Sequence, residues 1–69
     1  MCTFIEFKDH FLILGVITGN FNEEFKGLIK HWDGIWTKGI PDTTTIYPSG
    51  DNMNEVKLRL LELGYQESA

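Results

Sequence analysis

The sequence predicts an α+β domain of order ββαββα, a four-stranded, mostly antiparallel sheet with two helices packed on one face. Three observations carry that expectation. Segments rich in β-branched and aromatic residues occur in two pairs, at 3–17 and 35–47. Each pair is followed by a stretch whose apolar residues recur at helical spacing behind an asparagine suited to an N-cap, Asn20 and Asn52. No linker, low-complexity run or charge block separates the halves, so one sheet with both helices on the same side is the simplest packing.

The first hairpin is expected at about 3–8 and 11–17, with a tight turn near Lys8–His10. Ile5 and Phe7 share one face of the first strand, and Glu6 and Lys8 the other. The run FLILGVI is apolar throughout, as in a central strand covered on both faces. A helix is the rival for this region, because Thr3 and Glu6 have capping-box spacing and Phe4, Phe7, Phe11 and Leu14 recur at helical intervals. The β-branched Ile13, Val16 and Ile17, together with Gly15, favour the hairpin.

The first helix is expected from Asn20 to Trp32. Asn20 and Glu23 have capping-box spacing, and Phe21, Phe25, Leu28, Ile29 and Trp32 form one stripe. Gly34 is its expected stop. Gly27 falls opposite the stripe, where glycine costs about 1 kcal/mol relative to alanine; it is either incidental or a place where a partner approaches closely. Strands follow at 35–40 and 43–47, joined by Pro41-Asp42. The second helix begins behind Asp51 or Asn52 and runs to about Leu63, with Met53, Val56, Leu60 and Leu63 inward, Leu61 at the margin and Leu58 well outside. Gly64-Tyr65 matches a Schellman ending in which Tyr65 folds back on Leu60. The whole chain, 1–69, is one domain with an ordered core at about 3–65 and a frayed tail at 66–69.

A chain of 69 residues buries only about 60% of the surface its unfolded form exposes, so it needs a well-filled core or a partner. Nine aromatics, two Trp, two Tyr and five Phe, suit either use. The lone Cys2 excludes an intrachain disulfide, and with two histidines it makes no recognisable zinc site, so no metal and no cofactor is expected. No signal peptide is visible and the run 11–17 is too short to span a bilayer, which predicts a cytoplasmic protein without a membrane partner. Ten acidic against six basic residues give a net charge of −4. That balance disfavours a phosphate-backbone partner and suits an acidic surface that competes for a basic groove on another protein.

No catalytic pattern stands out, so an enzyme is not expected. The glycines of GVITGN lack the spacing and the lysine of a P-loop. Asp9-His10 and His31-Trp32-Asp33 put acids near histidines, but sequence neighbours seldom face one another within a strand or helix. Two surfaces remain for binding. One is the hairpin 35–47, with Trp36, Lys38 and Tyr47, where aromatics beside a lysine stack on bases or cover the small core. The other is the outer side of the second helix, where Leu58 and Leu61 beside Lys57 and Arg59 are either scattered exposed leucines or a seam for a partner or a second copy.

An apolar strand, a helix with Lys30 near its end, Gly34 and Trp36, then a strand closing on Tyr47 and Pro48, resembles the HARP-like domain found beside annealing helicases and in phage helicases. Phe21, Phe25 and Ile29 complete the similarity, which covers about residues 11–65. The resemblance implies nucleic-acid binding, with Lys30, Trp36 and Lys38 as the contacts. The leading expectation is different: a small acidic interaction protein of the type encoded by phages and mobile elements, which docks on a larger host or phage protein and blocks it, for instance in countering a defence system.

Overall fold

The structure, a computed structural model, describes residues 2–37 and 40–68, and for 36, 37 and 40–42 it describes the backbone alone. Its elements are β1 (Thr3–Glu6), β2 (Phe11–Leu14), α1 (Phe21–Glu24), β3 (Ile29–Thr37), β4 (Ile40–Pro48), α2 (Met53–Leu63) and β5 (Gln66–Glu67). The class is α+β, as the sequence predicts, but the sheet has five strands in the order β3-β4-β2-β1-β5. It is mixed: β1–β2, β2–β4 and β3–β4 are antiparallel, and β5 joins β1 in parallel.

The first hairpin forms, shorter than expected, and the rival helix does not. Its turn closes through Phe7 N–H donating to the His10 carbonyl at 2.9 Å. Phe4 and Phe11 meet edge to face across it, their centroids 5.8 Å apart.

The long first helix is corrected. Only Phe21–Glu24 is helical, and Gly27 adopts φ +79 and ends the turn. Gly27 is neither on a helix nor incidental: it supplies a left-handed conformation that an L side chain adopts at a cost. Ile29 and Trp32, assigned to the helical stripe, lie in β3, and Gly34, the expected stop, is opposite Thr44. The physical reason is that a helix through 20–32 would carry Gly27 in its interior, whereas 29–37 is rich in β-branched and aromatic residues and gains a ladder of eight paired positions with β4. Sequence period misled because Phe21 and Phe25 do bury at i, i+4 through one turn.

α2 follows the expected stripe: Val56 and Leu60 are buried, and Met53 and Leu63 pack beside them. Asn52 precedes it without a side-chain cap; its carbonyl accepts from Val56 N–H at 2.9 Å. The C-terminus is the anticipated Schellman ending. Gly64 has φ +103, Tyr65 N–H donates to the Leu60 carbonyl and Gly64 N–H to the Leu61 carbonyl, each at 3.1 Å. The stretch expected to fray carries β5, held by Gln66 N–H to the Cys2 carbonyl at 3.1 Å and Ser68 N–H to the Phe4 carbonyl at 2.8 Å.

One core holds these pieces together. Phe4, Phe11, Ile13 and Ile46 from the sheet meet Phe21 of α1, Phe25 just after it, Val56 and Leu60 of α2, and Tyr65. Both helices therefore cover the same face. The Tyr65 hydroxyl reaches across the core edge and accepts from Ile17 N–H at 2.9 Å, tying the C-terminal segment to the loop after β2. Burial pushes the Tyr65 phenol above its usual range, against the backbone hydrogen bonds from Ile17 and Thr18, which lower it.

Candidate binding surfaces

The strand alternation that buries Phe4, Ile13 and Ile46 turns their neighbours to the opposite side, where no helix lies among the described residues. Register fixes three cross-strand rows there. Thr3, Leu14, Thr43 and Ile35 form the first, and Ile5, Leu12, Thr45 and Asp33 the second. The third runs Phe7, His10, Tyr47, His31, an unbroken line of rings with centroid separations of 4.7, 5.7 and 5.9 Å. Ile35 is 60% exposed, Phe7 44% and Leu14 37%, while Ile5, Leu12 and Tyr47 are half-buried by their neighbours.

A cleft of about 520 Å³ opens beside Tyr47, the third ring of the aromatic row. Lys8 and Lys30 line it, with Asp9 and Asp51 opposing their charge and the start of α2 closing it. Both acid–histidine pairs make contact, contrary to expectation. Asp9 and His10 meet at 2.7 Å because a turn, unlike a strand, lets neighbours face one another; His31 Nε2 and Asp33 Oδ1 meet at 2.9 Å because residues two apart share a strand face. The hydrogen bond from His10 is the largest cause holding the Asp9 carboxyl below its usual range.

The sequence-predicted site residues are not brought together. Tyr47 lies in the aromatic row and Lys30 at the cleft. Trp36 lies on β3 with its side chain outside the description, and Lys38 lies outside the described residues. Leu58 and Leu61 are 49% and 46% exposed on the outer side of α2, with Arg59 exposed between them, on the other side of the molecule from the aromatic row. Lys57 is engaged within the chain: its Nζ is 3.2 Å from Glu6 Oε1 and 3.2 Å from Glu67 Oε2, tying α2 to β1 and β5. Those two hydrogen bonds, Glu6 first, raise the Lys57 ammonium above its usual range.

Sequence reasoning missed Phe7, His10, Leu12, Leu14, His31 and Ile35 as surface residues. The signal that could have found them is the unalternating FLIL of β2, which marks two apolar faces where a small chain has material to cover one. Among the described residues no group of three or more His, Cys, Asp or Glu is placed to hold a metal ion, and no helix is long and apolar enough to cross a membrane. No protein-family model matches the chain, and no curated protein or solved structure matches it significantly.

Proposed function

We propose that this chain is a small interaction protein that docks the open face of its sheet on a larger partner protein and blocks it by occlusion. The observation that carries the reading is β2: a central strand, apolar on both faces, of which the chain's own helices cover one. Leu14, Ile5 and Leu12, with Ile35 at the rim, give the face an apolar centre; threonines and the Asp33 and His31 side chains give it a polar surround. That is the anatomy of a protein interface more than of a solvated sheet face. On the α2 surface with Leu58, Arg59 and Leu61, Lys57 is drawn away into the intramolecular ion pairs. Capture from the native host tests the reading. The partner retained by the wild-type chain is expected to be retained by Leu58→Glu and lost with Leu14→Glu. Loss with Leu58→Glu and retention with Leu14→Glu moves the interface to α2.

A second reading is nucleic-acid binding, which the HARP-like resemblance implies. It is favoured by one observation: Tyr47, within the ring row Phe7, His10, Tyr47, His31, lines a cleft with Lys8 and Lys30, which offers stacking beside two cations that share the cleft with Asp9 and Asp51. Titration with labelled single- and double-stranded DNA and RNA at two salt concentrations tests it. Binding that weakens steeply with salt and is lost in Tyr47→Ala supports this reading, and no binding at low salt removes it.

A further inference from the structure

The two edges of the sheet are built differently. On one side β5 is two residues long, and its Glu67 is engaged with Lys57. On the other side β3 is nine residues long, and among the described residues no strand pairs with its outer side. A short, charged edge is a common guard against pairing, whereas a long edge presents a row of free backbone donors and acceptors. Two register irregularities, at Ile29/His31 and Ile35/Trp36, bracket a regular stretch, His31–Ile35, between them.

We infer that the outer edge of β3 pairs antiparallel with β3 of a second copy of this chain, about a two-fold axis at Trp32. The sequence of the strand selects both the occupant and the register. With Trp32 opposite its own copy, His31 of each chain faces Asp33 of the other, both inside the regular stretch. Within each chain His31 Nε2 and Asp33 Oδ1 already lie 2.9 Å apart, with 61% and 65% of their side chains exposed. Pairing two copies therefore closes an alternating ring of two histidines and two carboxylates. Moving the axis one residue on sets Asp33 against Asp33, and moving it one residue back sets His31 against His31. Like groups directly opposite destabilise a strand pair and complementary ones stabilise it, so the Trp32-centred register is the self-complementary one. A strand that complements itself in this way is suited to an isologous contact. The product is a continuous sheet of twice the width, with both open faces on the same side. That doubles the docking surface of the proposed function without depending on it.

Sedimentation equilibrium on the full chain, from micromolar to submillimolar concentration, tests the inference. The mass is expected to rise from that of one chain to two. His31→Asp sets carboxylate against carboxylate twice and is expected to raise the dimer dissociation constant about tenfold or more. The swapped double variant His31→Asp, Asp33→His restores the opposed pairs and is expected to restore wild-type association. Circular dichroism shows whether each variant is folded. Should one unfold, amide exchange of the wild-type chain still decides, because the outward-facing amides of His31–Ile35 are expected to gain protection as concentration rises. A mass of one chain throughout, a dimer indifferent to His31→Asp, no rescue by the swap, or a dimer abolished by Leu58→Glu would each overturn the β3 contact.

Discussion

The two faces of this sheet are made by alternate residues of the same strands, and they have opposite fates. Phe4 and Ile13 are opposite one another and fully buried; Ile5 and Leu12, each one residue away, are opposite one another on the side without helices. Apolarity is therefore not what separates the faces. What separates them is that a short chain has two helices to spend and both lie on one side. The covered face holds the fold together. The open face keeps apolar surface in water, and the proposed function rests on that contrast.

Substitutions break or sharpen the contrast in a graded way. On the covered face, Phe4→Ala is expected to cost about 3–5 kcal/mol, comparable to the whole stability of a domain this small, and to leave the chain largely unfolded in a urea titration. At the boundary between α1 and β3, Gly27→Ala is expected to destabilise by about 1–2 kcal/mol, because φ +79 is left-handed. A helix continuing through residue 27 would instead gain about 1 kcal/mol from the same change, so the sign discriminates.

Tyr65→Phe removes the hydroxyl that accepts from Ile17 and is expected to cost about 1 kcal/mol near neutral pH. It also changes the pH profile. A phenol with its folded value raised above the unfolded 10.0 binds more protons folded than unfolded in that range. Its contribution is therefore fully present below pH 10.0 and is lost as pH rises through the higher folded value. In Tyr65→Phe that alkaline loss is expected to shrink, as read by chemical denaturation at a series of pH values.

Lys57→Met leaves Glu6 and Glu67 without their shared cation and is expected to lower the melting temperature slightly, with a difference from wild type that narrows in high salt. On the open face, Leu14→Gln is expected to change stability by only about 0.5 kcal/mol or less, the smallest effect in the series.

Much of the covered face was legible in the sequence. The stripe Met53, Val56, Leu60, Leu63 and the Gly64-Tyr65 ending follow from local rules, because α2 is made by local contacts. The first hairpin followed for the same reason. Residues 25–34 were misread because their fate is decided by a partner strand, β4, that local spacing does not reveal: Trp32 is opposite Ile46, fourteen positions on, and that pairing outweighs a helical period sustained by only five apolar residues. β5 was missed because a two-residue parallel strand has no pattern of its own; it exists through its hydrogen bonds to the segment beginning at Cys2. The open face was half legible. The run FLIL announced a strand apolar on both sides, but the rows that join it to Phe7, Tyr47 and His31 exist only once register is known.

The central claim is that the open face binds and the covered face folds. Its most direct measurement is quantitative capture of the host partner by Leu14→Glu against the wild-type chain, with circular dichroism and urea midpoints taken on the same preparations. The expected result is a folded variant with a near wild-type midpoint that has lost the partner while Leu58→Glu retains it. A folded Leu14→Glu that captures the partner as well as the wild type would contradict the claim.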